Sequence, residues 1–378
     1  MIKNKFIVIP FVLPWDWPAD YQRQTVLLLA RKNHVVAYMQ TDAVFFLKLL
    51  FRRKKIHPKI KNVKFYTPIY ILPFRRFSLI EKFNQVISFK LFASRNRSNK
   101  EKILWIFDPD FHFYPKLAKG FLSLYDCVDY HWSLDDENLK KIRANEKKLI
   151  KAVDLFVVNS KVLYKRHSKV RKADSVVPQG FRVQDFVVKH KAPIRFPTDK
   201  PIIGLAGAIN ERLNLNLLEK LIKNNPQWNF VLWGPQQETD FKDPVKIKTI
   251  LKKFFSLTNV IRGQLKTPKK ISAIIDQFTI AMIPYDTAQD FNKYCYPMKL
   301  FEYFYLGKPV ISTPIEELKR FPKFVKIGKT AKEWEKHIKF LLSKPWPYQK
   351  EQKKLAKENS WKSKIEVISK IIDDEKKS

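Results

Sequence analysis

The sequence predicts an α/β protein made of two consecutive domains, each built on a parallel sheet. Three observations lead there. Short apolar runs alternate with longer segments of helical period, the pattern of strands joined by crossover helices. The chain has 378 residues, more than one core usually organises. From Lys189 to Lys200 the alternation stops: KHKAPIRFPTDK carries Pro193 and Pro197 and no period, which marks a boundary. The expected division is a first domain over 1–190, a second over 200–345 and a helical segment over 346–378.

The elements follow in order. Phe6–Ile9 is a strand, Tyr21–Arg31 a helix with Val26, Leu27, Leu29 and Ala30 apolar, and Val35–Met39 the next strand. Ile103–Phe107, Leu122–Tyr125 and Leu155–Asn159 are further strands, with a lysine-rich amphipathic helix over Glu137–Ala152 between the last two. The second domain repeats the theme. Its strands are Ile202–Ala206, Phe230–Trp233, Val260–Arg262, Ile280–Ile283 and Val310–Ile311. Its helices are Leu213–Lys223, Pro268–Asp276, Pro297–Tyr305 and Trp334–Leu342, and Gln349–Lys377 reads as a helical tail anchored by Trp361. Ligands of open α/β sheets bind beyond the carboxyl ends of the strands. That directs attention to Asn210–Arg212, Gly234, Gly263, Tyr285, Ser312 and Thr313.

Composition narrows the partners. The net charge of +37 predicts an anionic partner: nucleic acid, acidic membrane or a phosphate-bearing substrate. The first hundred residues hold 20 Lys/Arg against 4 Asp/Glu, a net of +16. There the apolar run Ala43–Phe51 is followed by Arg52, Arg53, Lys54 and Lys55, and Phe74-Arg75-Arg76-Phe77 repeats the theme. An apolar stretch ending in cations suits an anionic lipid surface, and it equally suits a core helix with a basic end. Cys127 and Cys295 are the only cysteines, so neither a disulfide framework nor a metal-ligand spacing is present and no metal ligand is expected. The start of the chain is too short in apolar residues and too broken by Pro10 and Pro14 for a leader, and no run is long enough to span a bilayer. The expected location is cytoplasmic, peripheral at the inner face of the membrane.

One segment concentrates chemistry. Pro297 opens a helix on which Lys299 and Glu302 lie three apart, on one face. The corner Gly307-Lys308-Pro309 and the strand Val310-Ile311 follow. A helix start seats phosphate, and a cation beside a carboxylate suits a ligand with phosphate at one end and hydroxyls at the other. The bland alternative is a surface ion pair of little weight.

Taken in order, these pieces resemble a known family. Gly204-Leu-Ala-Gly207 with Glu211-Arg212, Pro226 to Gly234, Asn259-Val260 with Gly263, Ile283-Pro284, Pro297-x-Lys299-x-x-Glu302 and Gly307 to Thr313 are spaced like the nucleotide-sugar domain of GT-B glycosyltransferases. The nearest likeness is to the group-1, family-4-like branch, in particular bacterial teichuronic-acid-type enzymes of polysaccharide assembly. Trp105–Pro109, Tyr125–Asp129, Val176–Phe181 and Asn359-Ser360-Trp361 agree with it. The resemblance implies two Rossmann-like domains whose parallel sheets face a central cleft, with a C-terminal helix crossing back to the first domain. It implies a glycosyltransferase that moves a sugar from a nucleoside-diphosphate sugar, UDP- or GDP-linked, to a lipid-linked or polysaccharide acceptor in cell-surface glycan synthesis. It implies no further cofactor and no metal.

The resemblance also assigns roles. Lys299 and Arg212 face the diphosphate, and Glu302 accepts from ribose hydroxyls. Gly207 lets the backbone approach the phosphates, or is simply a tight turn. Gly263 and Gln264 follow a strand and border the base; Glu211 and Gly234 are further donor-binding candidates within the same motifs. Many relatives carry a glutamate eight residues before the ribose glutamate; here that position is Tyr294, and Asn292 and Tyr294 are the substitute polar contacts. The usual glycine-rich first loop is replaced by Pro14-Trp15-Asp16-Trp17-Pro18, with Arg23 beyond it. In the first domain Asp126, Asp129 and His131 follow a strand and suit acceptor proton transfer; a helix-cap aspartate and an exposed histidine fit as well. His112 is a second candidate. A sugar-nucleotide epimerase of the same architecture and a non-catalytic basic protein binding nucleic acid or membrane are the competing readings. No nucleic-acid module is recognisable, and the aromatics sit in apolar runs.

Overall fold

The computed structural model describes residues 2–12, 15, 21–39, 57–68, 72, 77–96, 98–131, 136–187, 192, 194–236, 244–264 and 270–375. The basic stretch Ala43–Lys55, most of the Pro14–Pro18 segment, Phe74–Arg76 and the expected start of a helix at Pro268 lie outside them. The chain divides into two compact units, Met1–Pro178 with Lys362–Ser378, and Gln179–Trp361.

The first unit is a seven-stranded parallel sheet in the order β3-β2-β1-β4-β5-β6-β7. Its strands are β1 Phe6–Phe11, β2 His34–Met39, β3 Val63–Tyr66, β4 Lys102–Ile106, β5 Phe121–Cys127, β6 Leu155–Val158 and β7 Ser175–Val176. Its helices are α1 Tyr21–Leu29, α2 Ser78–Arg95, α3 Tyr114–Leu117, α4 Asp136–Ala152 and α5 Lys161–His167. β1, β4 and β6 are apolar along nearly their whole length and buried, as strands covered on both faces must be. Pro10 sits beyond the part of β1 that pairs with β4, so its missing N–H removes no bond to that neighbour. The strand order reverses direction between β1 and β4, so the crevice of this sheet opens there.

The second unit holds a six-stranded parallel sheet, β10-β9-β8-β11-β12-β13. The strands are β8 Ile202–Ala206, β9 Asn229–Trp233, β10 Val260–Gly263, β11 Ile280–Ile283, β12 Val310–Ser312 and β13 Val325–Ile327. Helices α6 Gln184–Val187, α7 Leu215–Asn224, α8 Pro244–Phe255, α9 Ile271–Ile275, α10 Asp290–Lys293, α11 Lys299–Tyr305, α12 Ala331–Leu342 and α13 Gln349–Glu358 accompany them. The reversal here lies between β8 and β11. α7 starts at Leu215 rather than Leu213 because the Asn214 side chain accepts from the Leu217 N–H while Leu213 bridges to Tyr285. α12 begins on a Thr330–Glu333 capping box.

The sequence misplaced two features. The units part between Pro178 and Gln179, ahead of the proline-rich stretch. The reason is that Phe181 exchanges backbone bonds with Asn359 (3.1 Å) and Trp361 (3.3 Å), which ties the residues after Pro178 into the second unit. The tail is two helices, α13 and α14 Trp361–Glu375, broken at Asn359-Ser360 where the segment runs beside Phe181. Only the part from Lys362 onward groups with the first unit. There Ile365, Ile368 and Ile372 of α14 are fully buried.

Candidate functional site

In the second unit the carboxyl ends of β8 and β11 carry Gly207 and Tyr285, and α11 places Lys299 against both. A Cβ on Gly207 would lie 2.6 Å from the Lys299 Nζ and would displace that ammonium, and Gly207 has φ +147°, which strains an L-residue. The same ammonium lies 5.0 Å from the Tyr285 ring centre. Arg212 stacks on that ring too, its Cζ 4.3 Å from the centre, and 4.5 Å from the Phe291 ring. Two cations thus approach one aromatic ring at the reversal of strand order, where each gains from the ring's quadrupole.

The positioning is explicit. The fully buried Asn292 accepts from the Arg212 Nε through its Oδ1 (2.9 Å) and donates to the Arg212 carbonyl (3.3 Å) and the Asp286 carbonyl (3.1 Å). These bonds fix the arginine in place. The Tyr303 hydroxyl accepts from the Ala206 N–H at 3.1 Å, pinning α11 to the end of β8. Tyr303 lies beside Glu302 in sequence, so Glu302 points elsewhere: it is half-buried, and Lys299, Arg182 and Asp185 make up its electrostatic surroundings. Burial pushes its carboxyl above the usual range, against the pull of Lys299 and Arg182. Lys299 and Glu302 make no direct ion pair, so the bland reading of this helical face does not describe it.

The glycines divide. A Cβ on Gly234 would lie 1.9 Å from the Gly207 carbonyl oxygen, and one on Gly263 2.5 Å from the Trp233 ring. The Gly234 N–H donates to the Gly263 carbonyl at 2.7 Å. At these two positions the absence of a side chain lets strand ends and an indole pack. Gly207 makes room for the Lys299 ammonium. Gln264 is exposed beyond β10. Glu211 contributes its carbonyl to the Gln289 side chain. Tyr294 closes α10, its ring 5.2 Å from the Lys293 ammonium.

In the first unit a second cluster occupies the ends of β4 and β5. His131 lies 3.2 Å from the Tyr125 hydroxyl, which donates to Glu146 at 2.9 Å. Asp108, capping the turn after β4 through the Asp110 N–H, is pushed upward by burial and pulled back by His131. Burial, then Asp129 and Asp108, push the Tyr21 phenol well up. Behind them Cys127, Glu146 and His167 meet at 3.7–3.8 Å. Burial pushes the Cys127 thiol well up and the His167 imidazole down, so both are neutral partners of a hydrogen-bonded core cluster. Its members come from β5, α4 and α5, which no sequence spacing could have joined.

Asp129 and His131 are half-buried at this strand end. Asp126 departs from them. Its carboxylate is fully buried and pairs with the Lys364 ammonium at 2.8 Å, so it holds α14 and is closed to solvent. His112 lies 3.2 Å from the Pro109 carbonyl; burial first, then Lys148 and Lys82, hold its imidazole low. Residues assigned no role from the sequence are Tyr303, Arg182, Tyr125 and Glu146. Tyr285 was singled out by its place just past a strand, without its two cations.

No family model matches the chain. It is 25% identical over 236 residues to TuaH of Bacillus subtilis (strain 168), a candidate teichuronic acid biosynthesis glycosyltransferase. The match covers 58% of this chain and 57% of that protein, so the chain spans just over half the length of the curated relative it matches. Among solved structures it is similar to a sucrose-phosphate synthase from Thermosynechococcus elongatus, with a TM-score of 0.74, 14% identity and coverage of 98% and 99% of the two chains. It is similar to Anabaena HepE, solved with UDP and glucose (TM-score 0.69, 10% identity, 98% and 100% covered). A glycosyltransferase from Rickettsia africae ESF-5 aligns over the whole of both chains, at a TM-score of 0.69 and 12% identity. The chain has the GT-B fold, and it resembles the teichuronic-acid-type glycosyltransferases as its motifs imply.

Proposed function

We propose that this protein is a glycosyltransferase that moves a sugar from a nucleoside-diphosphate sugar to a lipid-linked or polysaccharide acceptor. The observation that carries it is the pair of cations, Lys299 and Arg212, converging on Tyr285 just past the end of β11. As the sugar–phosphate bond breaks, charge grows on the departing diphosphate. Fixed cations stabilise that charge more than they stabilise the intact donor, which is what accelerates the step. Tyr285 and Asn292 hold the cations in place beforehand, so little reorganisation is needed. Glu302, flanked by Lys299 and Arg182, is the acceptor for ribose hydroxyls. Asp129 and His131 are the candidates to take the acceptor's proton in the first unit; Tyr125 orients His131.

The relatives support the donor class: HepE was solved with UDP and glucose. The likeness to TuaH, a candidate teichuronic acid biosynthesis glycosyltransferase, supports an acceptor of the cell-surface glycan class. We place the protein at the cytoplasmic face of a membrane; among the described residues no helix is long and apolar enough to cross one.

The test is a thermal-shift panel of nucleoside diphosphates and their sugars. A ligand of the folded state raises the melting temperature in step with its affinity. UDP or GDP is expected to stabilise the wild type, and neither to stabilise Lys299→Ala. An unchanged shift in that variant sinks the site. Isomerised donor formed with no acceptor present would make the protein an epimerase instead.

A further inference from the structure

Helix α2, Ser78–Arg95, buries polar as well as aromatic side chains and leaves large apolar ones exposed. Its sheet-facing side buries Asn84, Gln85 and Ser88 together with Phe89 and Phe92. Its outward side carries Leu79, 81% exposed, Phe83 at 48% and Leu91 at 40%. Leu79 and Phe83 are one turn apart, and half-buried Ile87 continues the line toward Leu91. Phe77, just before the helix, is 51% exposed. Asn84 clamps a further exposed leucine to the same helix, accepting from the Leu72 N–H at 2.9 Å and donating to its carbonyl at 2.8 Å.

Of the eleven large apolar residues exposed among the described residues, five fall between positions 72 and 91. Scattered exposure needs no explanation, but a contiguous apolar stripe marks an interaction surface. Lys82, Lys90 and Arg95 are exposed on the same helix. The only acid of the helix, Glu81, is engaged by Gln85. The first hundred residues carry a net +16, from 20 Lys/Arg and 4 Asp/Glu. An apolar stripe flanked by cations on an in-plane helix matches a bilayer with anionic headgroups: apolar side chains enter the acyl boundary and lysines stay at the phosphates.

We propose that the outward face of α2, with Leu72, Phe77, Leu79, Phe83 and Leu91 as anchors and Lys82 and Lys90 as headgroup contacts, seats the protein on an anionic membrane. The seat rests on the transferase reading only for its purpose, delivery of the first unit to a lipid-linked acceptor. The binding itself needs no donor.

The experiment is co-sedimentation of the full chain with phosphatidylglycerol–phosphatidylcholine vesicles and with pure phosphatidylcholine vesicles, with UDP-induced thermal shift measured in parallel. Wild type is expected to bind the anionic vesicles and to lose most of that binding between about 0.1 M and about 0.5 M salt. The double variant Leu79→Ser with Phe83→Ser is expected to bind at least about tenfold more weakly, since each anchor is worth roughly that factor. Both residues are exposed, so melting temperature and nucleotide shift should match wild type. Lys82→Glu with Lys90→Glu should lose the preference for anionic over neutral vesicles. Equal binding by the leucine–phenylalanine variant, or no binding by wild type, overturns the proposal whatever the nucleotide result. So does a wild-type dimer in vesicle-free solution that Leu79→Ser disperses, because the stripe is then an interface between copies.

Discussion

At the scale of single residues, the glycines and Glu302 make the sharpest claims. Gly234→Ala must push its new methyl into the Gly207 carbonyl, 1.9 Å from where it would sit. Backbone cannot yield as a flexible side chain does, so a loss of about 2–4 kcal/mol is expected, read as a lower denaturation midpoint at unchanged slope. Gly207→Ala meets only the end of a lysine but forces a positive φ, +147°, on an L-residue. Its expected mark is lost nucleotide binding beyond any loss of stability. Glu302 was legible in the sequence because helical spacing from a proline start is local information. The glycines' work was not, since it depends on what a neighbouring strand or ring brings close. Glu302→Gln separates the site from the fold. Burial raises the Glu302 carboxyl, so the folded state holds its proton more tightly than the unfolded chain does. From this group, stability therefore rises as pH falls through the folded value toward the ordinary one near about 4.3 and is lower at neutral pH. Removing the charge should leave the melting temperature at pH 7 equal or higher while weakening nucleotide binding. A lower melting temperature with intact binding would contradict it.

At the scale of elements, α14 is held to the first unit by buried isoleucines and by the Asp126–Lys364 pair. Burial raises the Asp126 carboxyl; Lys364 and the Trp105 indole pull it back. Lys364→Met leaves a buried carboxyl without its cation and is expected to cost about 3–5 kcal/mol at pH 7. The sign follows from the raised acid: protonation removes the buried charge, so the deficit of Lys364→Met should shrink as pH falls below neutral. Denaturant midpoints at several pH values test this, and a deficit that grows on acidification would refute it. Asp126→Leu with Lys364→Met should recover most of the loss, because apolar groups of similar size replace the pair without stranding a charge. In the sequence Asp126 reads as a site residue because it ends a strand. Its partner lies 238 positions away, and no periodicity carries that distance.

At the scale of the whole molecule, the chain leaves the first unit at Pro178 and returns to it at Lys362. A chain ending at Trp361 would remove Ile365, Ile368, Ile372 and Lys364 from the first unit's core while leaving the second unit's own contacts in place. Its unfolding should show an early transition for the first unit, with the UDP-stabilised transition of the second unit within about 1 kcal/mol of wild type. A uniform drop of both would refute independent cores. The sequence by itself determined the parallel α/β class, the two sheets, the Lys299–Glu302 helix and the family likeness, because hydrophobic period, turn residues and motif spacing are written in neighbouring positions. The tertiary structure alone decided which cations share Tyr285, which glycines give clearance to a lysine or a carbonyl, where the units part, and that α2 turns its leucines outward. Those depend on atoms brought together from distant positions, and proximity in space is a property of the folded chain rather than of its order.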